Sequence, residues 1–427
     1  MINIGLIGFG NVGQGVYDIL DQNGDMISGR IGSPISIKRI VVRSPEKYQD
    51  KVPSSVSLSA DVNDILDDPD IQIVVEVIGG EFPAYDIITK ALQNKKFVVT
   101  ANKEVMSKHK KEFFKLAKEN AVDIYFEAAV GGGIPIIRSL KVGFAANKIN
   151  AFYGIVNGTT NYILTKIAEE KKSFDAVLKT AQELGFAEAD PTMDVSGLDA
   201  AYKCTILAAV AFKLDVQLDD IYYEGIENIS LKDIEYAKEL GYHIKLLSFG
   251  KRDANNHFEL FVYPALIPEE HPLANVRNEF NATYIVGDHV DESMLLGKGA
   301  GAAPTGSAVV SDIIDISFGL SQSVSFRNLE TLFISGNVRP FEDTASRFFL
   351  RLLVSDQAGT LEKITAQFSA QSVNIENIIQ KEHKDQDAEV VIVTQSLSEK
   401  HCDSLIKRLE ETAEITRIIS KIRVHKL

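Results

Sequence analysis

Short apolar runs at positions 2–7, 35–42, 71–78, 97–100 and 122–126 open the chain, and between them apolar residues recur at helical spacing over 12–20, 83–92 and 104–119. Runs of this length are strands buried on both faces, and the spacing between them is that of helices lying on such a sheet. The alternation predicts a Rossmann-type domain, a parallel sheet wound with helices. Beyond 134 it breaks. Strand-like stretches at 148–156, 243–249 and 257–266 are interspersed with helical patterns at 174–184 and from 196 or 197 to 212, which predicts a mixed α/β sheet with helices on one side. An apolar helix at 307–318 returns to cover the first domain. A polar stretch from Arg339 to Arg347, with Pro340 near its start, reads as a linker. After it, strands at 348–354, 373–380, 389–394 and 415–422 and helices at 361–369 and 399–409 follow the order βαββαβ, a ferredoxin-like unit.

The fold class is therefore α/β with three domains. The dinucleotide-binding domain covers 1–133 plus 304–330, the substrate domain 134–303, the linker 331–347 and the terminal domain 348–427.

The first strand runs into Gly8-Phe9-Gly10-Asn11-Val12-Gly13, a GxGxxG between strand and helix. In that context the glycines permit a tight turn, close approach to a pyrophosphate and helix–strand packing, and the helix N-terminus faces the phosphates. The second strand ends at Arg43 where an NAD-preferring site commonly places a carboxylate. A cation there pairs with a 2′-phosphate, so NADP(H) is favoured over NAD(H), although an ordinary solvated arginine would look the same. Lys103, after Thr100-Ala101-Asn102, stands at the strand edge where open α/β sheets bind ligands. Glu127, followed by Gly131-Gly132-Gly133, offers a carboxylate and exposed carbonyls that suit a hard cation; a glycine-rich crossover between domains is the plainer alternative.

Positions 185–203, GFAEADPTMDVSGLDAAYK, concentrate Glu188, Asp190, Asp194 and Asp199 before Lys203. Asp199 and Lys203 share one helical face. A surface loop with turn chemistry at Asp190-Pro191 and an i,i+4 ion pair worth ~0.2–0.5 kcal/mol would account for the same residues. The same mixture could also hold a small substrate carrying both an ammonium and a group that must be protonated, a proton that a lysine can give. Asp199 can orient that lysine or hold a substrate ammonium, and Glu188 supplies a second carboxylate. Asp190 and Asp194 receive no catalytic part.

With 45 basic and 59 acidic residues the formal net charge is −14, which argues against nucleic-acid and anionic-membrane partners. Cys204 and Cys402 lie far apart, so neither a disulfide framework nor a thiolate metal site is suggested. Without a charged leader or a run of ~18 apolar residues, a cytoplasmic protein is expected.

The motifs GFGNVG at 8–13, VVEVIGG at 74–80, VVTANKE at 98–104, EAAVGGGIP at 127–135, NGTTNYIL at 157–164, GFAEADP at 185–191, GLDAAYK at 197–203 and GAGAAPTGSAVV at 299–310 resemble those of homoserine dehydrogenase. That family interconverts L-aspartate 4-semialdehyde and L-homoserine with NAD(P)(H), on the route to threonine, methionine and isoleucine. The resemblance implies Lys203 as proton donor, Lys103 serving cofactor and substrate, Glu188, Asp199 and Thr159 binding the amino acid, and Gly185 and Gly301 lining the cofactor. It also implies a sodium ion held by Glu127 and the carbonyls of Val130, Gly132 and Ile134. The terminal unit resembles the ACT domain, a regulatory module working in paired copies. That implies a homodimer or homotetramer and an amino-acid effector, threonine, near Asp356, Gly359, Leu361 and Asn374. Ala358 stands where that family often has proline. Another amino-aldehyde oxidoreductase, a catalytically silent sensor of nucleotide and amino acid, and a terminal domain serving dimerisation alone are the competing readings.

Overall fold

The computed structural model describes residues 1–322, 333–334, 336–382 and 387–425. Positions 323–330 of the expected first domain, 331, 332 and 335 of the expected linker, and 383–386 and 426–427 of the expected terminal domain lie outside the described residues. The chain forms two compact units, the first from 1–156, 201–221 and 280–336, the second from 157–200, 222–279 and 337–427.

In the first unit six parallel strands stand in the order Ser57–Ser59, Ile35–Val41, Ile2–Ile7, Ile73–Glu76, Phe97–Thr100 and Ile124–Tyr125. Their valines and isoleucines are buried because helices cover the sheet. The order is that of a doubly wound fold, with the switch between Ile2–Ile7 and Ile73–Glu76, where such sheets bind dinucleotides. The helix Ala302–Gln322 lies against the first helix, Asn11–Gln22. A Cβ on Gly15 would collide with the Ala302 carbonyl, and one on Gly306 with the Gly15 backbone, so two glycines set this close crossing. This helix starts ahead of the predicted 307 because Pro304 falls in its first turn, where a missing N–H costs nothing.

Ile149–Ile155, Phe280–Gly287 and Glu292–Lys298 form an antiparallel ladder, also in the first unit. The last two strands are additions to the elements predicted from periodicity. The strand predicted over 122–126 shortens to Ile124–Tyr125.

In the second unit the hairpin Tyr242–Arg252/His257–Pro268 is continued by Ile415–Val424, which pairs parallel to His257–Pro268 through Ala265 and Leu266. Ala345–Ser355, Asp387–Thr394 and Ile375–Glu382 follow, giving within the terminal segment the spatial order fourth, first, third, second of a ferredoxin-like βαββαβ sheet. Its first strand begins at Ala345 rather than 348, within the predicted linker. Phe348, Leu350, Leu352 and Val354 alternate onto a core with Ile364, Phe368 and Leu405 from the helices Thr360–Ala370 and Glu399–Glu410. On the other face Arg351 meets the helix Leu231–Glu239: its guanidinium lies 2.9 Å from Asp233, Ser420 donates to Asp233 at 2.6 Å, and Tyr236 donates to Glu389 at 2.8 Å, all buried. The terminal sheet is thus built into the second unit. No helix among the described residues is long and apolar enough to cross a membrane.

Candidate active site

The first unit gathers its chemistry at the carboxyl ends of its central strands. Gly8 follows Ile2–Ile7 with φ +101°, a conformation that favours glycine. Gly10 precedes the helix and supplies no side-chain acceptor to the first-turn amides. Those amides suit a phosphate. Asn11 is exposed and Val12 half-buried, while Gly13 is buried where a Cβ would strike the Gly8 carbonyl. Phe9 differs from its neighbours in GxGxxG. Its ring is buried edge-on to Tyr17 and Tyr48, so it offers a phosphate only backbone. Arg43 is exposed beyond the strand Ile35–Val41, whereas Lys38 and Arg39 are engaged with Asp68 and Asp64.

A buried network joins the neighbouring strand ends. Glu76 accepts from the Thr100 hydroxyl at 2.6 Å and from the Ile78 amide at 2.8 Å, and Asn102 donates to the Gly80 carbonyl at 2.6 Å. Burial raises the Glu76 pKa above the usual carboxylate range, and the hydrogen bonds it accepts oppose that shift. Asn102 also caps the helix Lys103–Glu119 by accepting from Val105. Lys103, half-buried, is the first residue of that helix. Glu76 therefore fixes both the Gly79-Gly80 turn and the base of Lys103. It stands as the one acid in the run VVEVI, a sequence signal the apolar pattern hides.

Gly301 precedes Ala302, whose carbonyl lies against Gly15, so the structure brings the Gly301 loop beside the fingerprint helix. The same segment meets the glycine loop after Glu127, with the Gly133 amide donating to the Lys298 carbonyl at 3.1 Å. Glu127 is buried and accepts from the amides of Ile137 and Arg138 at 2.8 and 2.7 Å. Burial pushes its pKa up to about 7. Asp312, which accepts from the Glu127 amide, is raised well above the usual carboxylate range by burial and by the Glu127 charge. Two desolvated carboxylates linked in this way carry charge that a hard cation would stabilise. Among the described residues no group of three or more His, Cys, Asp or Glu side chains could hold a metal, so such a site would rest on main-chain oxygens.

The helix Leu198–Phe212 carries Asp199 and Lys203 one turn apart, about 6 Å along its axis. Lys203 is half-buried, and its ammonium donates to the Val156 carbonyl at 2.7 Å. In the second unit Asp199 is 1% exposed and accepts from Asn157 Nδ2 at 2.8 Å. The other hydrogen of that amide goes to Asp194 at 2.7 Å. Asp190 instead closes its own turn on Thr192. Thr159 donates its hydroxyl to the Phe186 carbonyl at 2.7 Å and so tethers the stretch containing Gly185 and Glu188, both exposed. Asn161, one turn after Asn157 on the helix Gly158–Glu170, accepts from buried Lys245 at 3.0 Å. Burial lowers the Lys245 pKa to about 8. In the terminal segment Asp356, Gly359, Leu361 and Asn374 are exposed; Gly359 precedes the helix Thr360–Ala370, and Asn374 donates to Gln395 at 3.1 Å.

A doubly wound sheet with a phosphate-binding turn at its switch point is the architecture of a dinucleotide-binding protein. Residues 8–127 match the family model described as homoserine dehydrogenase, NAD binding domain, and 135–314 match that of homoserine dehydrogenase. The chain is 43% identical to homoserine dehydrogenase of Bacillus subtilis, covering 99% of this chain and 98% of that protein. It superposes on a homoserine dehydrogenase crystal structure from Thiobacillus denitrificans with a TM-score of 0.93 at 38% identity, covering 99% of this chain and 98% of that one. A hyperthermophilic archaeal homoserine dehydrogenase in complex with NADPH matches with a TM-score of 0.65 at 26% identity over 77% of this chain and 99% of its own. The chain belongs to the homoserine dehydrogenase family.

Proposed function

We propose that this protein reduces L-aspartate 4-semialdehyde to L-homoserine with NAD(P)H in the cytoplasm, as a step towards threonine, methionine and isoleucine. The observation that carries the reading is the helix Leu198–Phe212, which sets an acid for the substrate's ammonium one turn from a cation for its carbonyl oxygen. The dinucleotide, when bound, supplies the hydride. Lys203 gives a proton to the oxygen as charge develops there, and Lys103 adds a second positive charge towards cofactor and substrate. Asp199 and Glu188 receive the ammonium, while Thr159 serves substrate binding by tethering the 185–188 stretch. Gly185 and Gly301 line the cofactor. The assay is NADPH oxidation on adding aspartate semialdehyde; turnover no faster than with an aldehyde lacking the amino-acid head would sink the reading.

Arg43 supports a preference for NADP(H), because it is exposed at the strand end where a 2′-phosphate would lie. Arg43→Asp should raise KM for NADPH about 10–100-fold, the equivalent of one charge-assisted hydrogen bond, and leave KM for NADH nearly unchanged. Equal changes in both constants would remove Arg43 from cofactor selection.

Glu127 with the carbonyls of Val130, Gly132 and Ile134 would hold sodium, and the burial of Glu127 supports this because a cation offsets the cost of its charge. Exchanging sodium chloride for choline chloride at equal ionic strength should lower Tm by a few degrees, about 1 kcal/mol of linkage. No change in Tm would count against the site. In the terminal domain, read as an ACT module in a homodimer or homotetramer, threonine would bind near Asp356, Gly359, Leu361 and Asn374 and lower activity.

A further inference from the structure

We propose that Ser107 and Thr205 are positioning residues for the reaction, a buried hydroxyl pair that registers the helix bearing Lys103 against the helix bearing Lys203. The inference rests on the roles given above to those two lysines and adds what holds them in place. Ser107 lies one turn after Lys103 on the helix Lys103–Glu119, and Thr205 follows Lys203 by two residues on the helix Leu198–Phe212. All four residues belong to the first unit. Ser107 is 1% and Thr205 0% exposed. Thr205 directs its one hydroxyl hydrogen between Ser107 Oγ at 2.7 Å and the Tyr202 carbonyl at 2.8 Å.

At the rise of a helix, the bond stands about 6 Å along one axis from Lys103 and about 3 Å along the other from Lys203. Each lysine is thus carried on a short rigid arm from the point where the helices are joined. Contact between apolar side chains would also bring the helices together, but it is non-directional and lets them slide. A hydrogen bond demands a distance and an angle, and two hydroxyls out of reach of water must be satisfied within the protein. The same helix is braced further along. Buried Lys110 donates to the carbonyls of Ser107 and Val216, and Lys111 pairs with Asp215 at 2.6 Å, so the chain just past the helix Leu198–Phe212 is held as well. Those bonds keep the elements together, and the hydroxyl pair, nearer the lysines, sets their register.

Ser107→Ala removes the bond and orphans nothing, because Thr205 keeps the Tyr202 carbonyl and alanine suits a helix. With NADPH and aspartate semialdehyde saturating, it should lower kcat about 10-fold, within the ~10²-fold that a 1 Å misplacement can cost. Thr205→Val keeps the shape and loses the hydroxyl, whereas Thr205→Ser keeps the hydroxyl and loses the methyl. The valine variant should match Ser107→Ala, and the serine variant should retain near-wild-type kcat. In a Lys203→Ala background Ser107→Ala should cost nothing further, since the donor it positions is gone. A serine variant slower than the valine variant would show that the methyl's packing matters and not the bond. An unaltered kcat in Ser107→Ala, or the same loss with and without Lys203, would likewise overturn the inference, and each of these outcomes leaves the assigned reaction standing. Near-full turnover in Lys203→Ala itself would overturn the reading of the proton donor, and this inference with it.

Discussion

Lys203→Ala is expected to lower kcat by about 10²–10⁴-fold, the usual contribution of a positioned general acid, with little change in KM for NADPH. The ammonium it removes is half-buried and held 2.7 Å from the Val156 carbonyl, so it is oriented before substrate arrives. Alanine is the best helix former, and the helix Leu198–Phe212 should persist around it. Loss of turnover with an unaltered Tm would therefore report on chemistry. Saturating substrate should not rescue the rate, because the proton transfer is made only as charge develops on oxygen. Near-full turnover in the variant would remove Lys203 as the donor.

Periodicity reads the chain well where burial is uniform. The runs 2–7 and 97–100 coincide with Ile2–Ile7 and Phe97–Thr100 because strands covered on both faces are continuously apolar. Glu292–Lys298 fails that test. Its residues alternate between exposed and half-buried, and Met294 and Leu296 face outward, so nothing in its composition separates it from a loop. The site divides the same way. Asp199 and Lys203 are readable because helical spacing is local, whereas Asn157 meets Asp194 and Asp199 across 37 and 42 residues, a contact that chain folding alone creates. Treating GxGxxG as one unit hides that Phe9 turns its ring inward. Gly15 and Gly306 are equally silent, since a helix crossing is specified by both partners together.

Deleting residues 345–427 is expected to unfold or aggregate the rest of the second unit, not to yield a deregulated enzyme. The helix Leu231–Glu239 would lose Arg351 and Ser420 from Asp233, which is fully buried, and Tyr236 would lose Glu389. The strand His257–Pro268 would lose Ile415–Val424 from its edge, and with it the bond from the His425 amide to the Leu266 carbonyl. Arg423, packed among Tyr222, Tyr263 and Phe341, pairs with Glu224 as well as Glu399, so truncation also strands Glu224. Breaking a buried ion pair from one side costs about 3–5 kcal/mol, and the loss at Asp233 alone approaches the lower end of the ~5–15 kcal/mol that holds a domain folded. Thermal unfolding is the check: a truncated protein melting within about 5 °C of the full chain would show that these pairs carry little. For the same reason truncation is the wrong probe of the proposed threonine control. Loss of inhibition would then follow from loss of structure. Asp356→Ala and Asn374→Ala in the full chain are exposed changes that leave the buried pairs intact, and they should weaken inhibition by threonine without altering the uninhibited rate. Inhibition that persists unchanged in both would place the effector elsewhere.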